Sequence, residues 1–186
     1  MPRYVALFRG INVGKAKRIA MADLRTLLAK LGYTDIQTLL NSGNAVFTGA
    51  AGSAAQHAER IRTAVSRKLG VDALVIIKSR KDLDGIVAGN ALQDLATDAS
   101  RLLVAVTNHP RELVKVAQLA KIAWGDERLH VGKHAAYMWC ANGILESKLA
   151  VALLKDLDEA GTTRNWATLN KIHALLTGPG AGDDGR

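Results

Sequence analysis

The segment Arg9-Gly10-Ile11-Asn12-Val13-Gly14-Lys15 closes an apolar run, Tyr4 to Phe8, and delivers an arginine, an asparagine and a lysine to one loop. A guanidinium at a strand end, with an amide beside it, can hold a carboxylate or a phosphate through fork-like hydrogen bonds. The glycines do not make a nucleotide cradle. A Walker-type loop needs Gly-x4-Gly-Lys-Ser/Thr, but Gly10 and Gly14 stand one residue too close and Ala16 follows Lys15. A dinucleotide loop needs Gly-x-Gly-x-x-Gly running straight from strand into helix, and these two glycines do not supply it. What remains is anion recognition led by Arg9, with Gly10, Asn12, Gly14 and Lys15 around it. The competing reading is a tight loop whose glycines allow the turn and whose arginine pairs with a carboxylate.

Two further motifs carry polar groups. Ser42-Gly43-Asn44 offers a hydroxyl and an amide, and Ser42 and Asn44 would add hydrogen bonds if this turn lay beside the opening loop. Hairpin-turn chemistry alone also explains all three residues. Thr162-Thr163-Arg164-Asn165-Trp166 precedes an amphipathic run of Trp166, Leu169, Ile172, His173 and Leu176. A threonine there is a natural N-cap. An arginine at the positive end of a helix is electrostatically misplaced unless an anion joins it. Thr163, Arg164 and Asn165 are therefore expected ligand-binding residues, with Asp158 or Glu159 as competing partners for the arginine.

The familiar catalytic constellations are thin. His57, His109, His130, His134 and His173 are scattered, and His130 and His134 flank a predicted hairpin turn rather than sharing a helical face. No metal site, and no cofactor, is expected from such a set. Cys140 is the only cysteine, so an internal disulfide is impossible. It alternates with Met138 and Ala136, as a core thiol would, while Tyr137 and Trp139 share the opposite strand face, where packing beneath a helix suits them.

These residues need elements to position them. Apolar patterning predicts strands at 3–9, 36–40, 45–48 and 73–78, with helices at 21–31 and 53–69 that stop at Gly32 and Gly70. That spells β-α-β-β-α-β, the ferredoxin-like order, over residues 1–78. Residues 79–100 read as a helical connector, with Gly85 and Gly89 weakening its helix over 80–97. A second cycle follows over 101–177: a strand at 102–106, a helix at 110–122, strands at 128–131 and 135–140, and helices at 147–159 and 164–176, so that a helix stands where a last strand would come. The fold expected is α+β, two ferredoxin-like halves packed together with C-terminal helices. The tail 178–186 has no apolar content and is expected to be disordered.

Arg9-Gly10-Ile11-Asn12-Val13-Gly14, Ser42-Gly43-Asn44 and Thr162-Thr163-Arg164-Asn165-Trp166, with Met21-x-x-Leu24-Arg25 and Leu31-Gly32-Tyr33 between them, resemble the uncharacterised bacterial family named domain of unknown function 1697. The likeness runs to about Leu176. It implies a two-part α+β fold on ferredoxin-like halves and no established activity. Lys15 departs from the family pattern, which usually has a second glycine there.

Charge narrows the function classes. The formal net charge is +8, and residues 1–33 hold Arg3, Arg9, Lys15, Lys17, Arg18, Arg25 and Lys30 against Asp23 alone. Such a patch favours nucleic acid or phosphate esters, with Lys17 and Arg18 as the outer contacts. The leading expectation is a binding module for an anionic ligand, a phosphorylated small molecule or a nucleic acid, at a basic strand-end cleft. The alternative is an enzyme on a phosphate- or carboxylate-bearing substrate, with Arg9 and Arg164 stabilising charge. Met-Pro-Arg-Tyr enters a strand directly, so no secretory leader is expected, nor a membrane partner; a cytoplasmic location is the expectation.

Overall fold

The structure, a computed structural model, describes residues 1–178. Of the tail 178–186, all but Gly178 lies outside the described residues. The described residues divide into two compact units, one holding Met1–Leu83 and the stretch from Ile172 to Gly178, the other Asp84–Lys171. Each contains its own four-stranded sheet.

In the first unit β1 (Arg3–Phe8), α1 (Met21–Lys30), β2 (Thr34–Leu39), β3 (Asn44–Thr48), α2 (Ala54–Leu69) and β4 (Val75–Ser79) follow one another. The sheet runs β2-β3-β1-β4, with β1 antiparallel to both β3 and β4. This is the ferredoxin-like order. All six residues of β1 are buried. Tyr4, Ala6 and Phe8 join the core that Leu24, Leu28, Ile61 and Val65 of the helices complete, and Val5 and Leu7 are buried on the other face. Burial on both faces is why the strand reads as a continuous apolar run rather than an alternation.

Local chemistry sets the ends of α2. The Ser53 hydroxyl accepts from the Gln56 N–H at 3.2 Å, and the Gln56 side chain accepts from the Ser53 N–H at 3.0 Å, a capping box. Gly70 ends the helix at φ 68, a left-handed position that glycine takes without steric cost.

The boundary between the units falls inside α3 (Arg80–Ala88). In the second unit β5 (Leu102–Thr107), a 3₁₀ helix (Pro110–Lys121), β6 (Arg128–Val131), β7 (Ala136–Trp139), α4 (Lys148–Leu157) and β8 (Gly161–Asn165) repeat the cycle. The helix that follows, α5 (Trp166–Thr177), begins in this unit and returns to the first at Ile172. The sheet order is β6-β7-β5-β8, again ferredoxin-like. Its core takes in Leu103, Ala105, Met138, Leu153 and Leu157.

Three elements differ from the sequence expectation. The helix expected over 80–97 ends at Ala88, and a short 3₁₀ turn, Gln93–Leu95, follows it. The segment over 110–122 is a 3₁₀ helix, not an α-helix, and its buried residues Leu113, Val116 and Leu119 stand three apart, matching three residues per turn. The last strand exists after all. Residues 161–165 form β8, whose Arg164 lies opposite Val104 of β5, so α5 begins at Trp166 rather than Arg164. Gly-Thr-Thr-Arg-Asn contains no apolar residue and gave no alternation to read, although threonine is at home in strands.

The two faces of β7 carry their expected side chains. Cys140, just past the strand, lies fully buried in the core, and burial raises its thiol above the ordinary value. Tyr137 is fully buried on the other face beneath the end of α3. Its hydroxyl donates to the Ile86 carbonyl at 2.5 Å, and burial pushes its pKa up to about 12. A Cβ on Gly89 would come within 2.8 Å of that hydroxyl, so the glycine makes room for the contact. Tyr137→Phe leaves a buried carbonyl unsatisfied and should cost about 1–3 kcal/mol. Urea denaturation of the two proteins measures the difference, and a loss under about 0.5 kcal/mol would show the bond to be dispensable.

Candidate functional site

The opening loop and the Ser42-Gly43-Asn44 turn interlock at one end of the first sheet. The Phe8 N–H donates to the Gly43 carbonyl at 2.9 Å. Ile11 is fully buried and lies over Gly43, where an added Cβ would stand 2.6 Å from the Ile11 Cδ1 and 2.8 Å from the Phe8 Cβ. Gly43 also has φ +88. The close approach and the left-handed backbone each demand glycine at this one position.

Asn12 pins the loop itself. Its side-chain nitrogen donates to the Ile19 and Asn41 carbonyls, both at 2.8 Å, and its oxygen accepts from the Ile19 N–H at 2.8 Å. Its own N–H donates to the Lys17 carbonyl at 3.0 Å. Both side-chain N–H donors are thereby engaged by the protein backbone, which makes Asn12 the loop's clip. Asn44 is fully buried; its amide donates to the Leu39 carbonyl at 2.8 Å and to the Ser42 hydroxyl at 3.3 Å, the turn chemistry that the sequence offers.

The clip leaves cations on the outside. Gly10, Gly14, Lys15, Lys17 and Arg18 are exposed, and Arg9 is half-buried with its N–H donating to the Leu74 carbonyl at 2.9 Å. Asp72 stands on the neighbouring connection into β4. The Arg62 guanidinium holds its carboxylate through bonds of 2.8 and 3.1 Å and lowers its pKa, with a smaller contribution from Lys17. Loop cations thus outnumber acids at this end of the sheet.

Thr163, Arg164 and Asn165 belong to the second unit, the opening loop to the first. Arg164 is not at a helix N-terminus. It is a residue of β8, 8% exposed, whose Nη1 donates to the Thr162 hydroxyl at 3.0 Å and to the Thr163 carbonyl at 2.7 Å. Burial draws its guanidinium down to about 10. The N-cap of α5 is Asn165, whose side chain accepts from the Thr168 N–H at 2.8 Å; the threonines expected to cap are strand residues. The anion corner was inferred from a helix start two residues too early.

Sequence reasoning missed a groove between α1 and α2, with a volume of about 1180 Å³. Leu27, Leu31, Ala64 and Leu69 contribute its apolar surface, and Lys30, Arg67, Lys68, Asp23 and Glu59 its charges. Small residues of α2, Ala55, Thr63 and Ala64, line it without filling it, and they were the available signal. Near it, Tyr33 and His57 are buried, with the tyrosine hydroxyl 2.9 Å from Nδ1 of the histidine. Burial lowers the His57 pKa and raises that of Tyr33. The groove carries both signs of charge, whereas the loop carries cations. Among the described residues no group of three His, Cys, Asp or Glu is placed to hold a metal ion, and no helix is long and apolar enough to cross a membrane.

Fold and site together define an α+β protein of two ferredoxin-like halves whose first loop motif is a clasp carrying exposed cations. The family model described as protein of unknown function (DUF1697) matches residues 1–137, and the chain belongs to that family. The structure is similar to that of a conserved bacterial protein from Streptococcus pneumoniae, at 27% identity and a TM-score of 0.77, covering 95% of this chain and 99% of the other. None of the curated proteins matches.

The clasp makes a comparison between two glycines decisive. Gly43→Ala meets both a left-handed backbone and a filled neighbourhood and should cost about 2–5 kcal/mol. Gly70→Ala has φ 68 but nothing within 4 Å of the added Cβ, and should cost only about 1–2 kcal/mol. Urea titrations of the two variants check this order; equal losses would mean that Ile11 does not hold the turn.

Proposed function

We propose that this protein is a cytoplasmic binding module for an anionic polymer, a nucleic acid, whose phosphates meet the loop between β1 and α1. The observation that carries the reading is the exposure of Lys15, Lys17 and Arg18 on a loop whose path is fixed by the Asn12 hydrogen bonds. Exposed cations suit a phosphate backbone, which is bound mainly through release of its counterions. A loop held in place before binding also loses little conformational freedom on contact. The formal net charge of +8 adds long-range attraction. The place of Arg9 at the end of β1 supports a second reading, a phosphorylated small molecule bound at the strand end, because a guanidinium matches a phosphate through two parallel hydrogen bonds.

Fluorescence anisotropy with labelled duplex DNA and single-stranded RNA, across a salt series, tests the first reading. The logarithm of affinity should fall linearly with the logarithm of salt, by about 0.9 per phosphate contacted on duplex DNA. The combined Lys15→Ala, Lys17→Ala and Arg18→Ala variant should flatten the slope by about 2–3 and weaken binding across sequences. Absence of binding to both polymers, or an unchanged slope, rules the reading out. Stabilisation by nucleotides or sugar phosphates that Arg9→Ala abolishes would then establish the second.

A further inference from the structure

The opposite end of the first sheet, where β1 starts and β3 and β4 finish, holds a buried cation. Arg3 is only 5% exposed, and its Nε is buried with no hydrogen-bond partner. Its cross-strand neighbour is Thr48 of β3, 7% exposed, whose Oγ1 is likewise buried and without a partner. Residues directly opposed in an antiparallel pair share a sheet face, with Cβ atoms about 4.5–5.5 Å apart. The two residues that carry the unsatisfied groups are therefore neighbours.

Further positive charge lies at the same end. Lys78, 6% exposed, is opposite Val5, which places it on the Arg3 face and diagonal to Arg3, at about 7–8 Å. Arg80 follows Ser79, which pairs with Tyr4. The acid closest in sequence, Asp82, is exposed and accepts from the N–H and hydroxyl of Ser79 at 2.9 and 2.7 Å. A guanidinium N–H and a hydroxyl, side by side, buried and unmatched, are costly to keep without a ligand. Both can donate, so the complementary group is an acceptor, and a guanidinium favours one carrying negative charge.

We propose that Arg3 and Thr48 form a binding site for a small oxyanion, a phosphate or a carboxylate, taken between the guanidinium and the hydroxyl on the β1–β3 pair. A phosphate would be bound free, whereas a carboxylate would arrive as part of a larger metabolite or peptide end. The site is separate from the loop between β1 and α1 and does not depend on what that loop binds.

Thermal unfolding and titration calorimetry of the full chain, with inorganic phosphate and separately with acetate at constant ionic strength, read the site directly. The wild-type Tm should rise and saturate with at least one of the two anions. Phosphate alone assigns a free inorganic ion, and acetate a carboxylate ligand. Arg3→Met should abolish the rise and, with the buried unmatched N–H removed, start from a Tm in anion-poor buffer no lower than wild type. Thr48→Val keeps the shape and should weaken the anion about tenfold, the loss of one hydrogen bond. The loop variant lacking Lys15, Lys17 and Arg18 should respond as wild type does. If wild type responds to neither anion, or if Arg3→Met and Thr48→Val respond as wild type does, the site does not exist.

Discussion

Between a buried strand and the first turn of α1 the chain must cross from sheet to helix layer, and the side chain of Asn12 is what fixes the crossing. Its three bonds of 2.8 Å tie together the loop, Ile19 just ahead of α1 and the turn between β2 and β3 at Asn41. Asn12 itself has φ 55, a left-handed conformation that asparagine tolerates better than most residues. Ile11, held over Gly43, supplies the apolar half of the same clasp. Everything exposed on the loop, Lys15, Lys17 and Arg18 included, takes its position from these two anchors.

The two units solve one topological problem with different chemistry. In the first, the central strands β1 and β3 are buried along their length, and α2 is bounded by a capping box and a left-handed glycine. In the second, the crossover after β5 is a 3₁₀ helix whose apolar residues recur every third position, and the closing strand is polar. A polar strand at the edge of a sheet is stable because its ladder to β5 satisfies the backbone whatever the side chains are. Arg164 then becomes a strand residue with bonds to its own segment, and does not stand at a helix end.

How much of this was legible follows from where the physics is local. Strands rich in valine, isoleucine and leucine, and helix ends marked by Ser53, Gly32 and Gly70, were readable because neighbouring residues decide them. β8 was not, since Gly-Thr-Thr-Arg-Asn is a strand only by virtue of β5, more than fifty residues away in sequence. The opening motif was recognisable as a site, but its division of labour was not. Whether Asn12 faces a ligand or the Asn41 carbonyl depends on the approach of a turn 29 residues on. The Arg3–Thr48 pair was invisible for the same reason: each is an ordinary residue until register sets them side by side.

Amide hydrogen exchange at Asn12 and Ile19 reports most directly on whether the clip holds the cationic loop. In the wild-type protein both amides should be strongly protected, although they lie in a loop, because each donates within the clasp. In Asn12→Ala, protection at Ile19 should be lost while the amides of β1 keep theirs. Exchange of Ile19 at the unprotected rate in the wild type would contradict a fixed loop and, with it, the presentation of Lys15, Lys17 and Arg18 as a prearranged set.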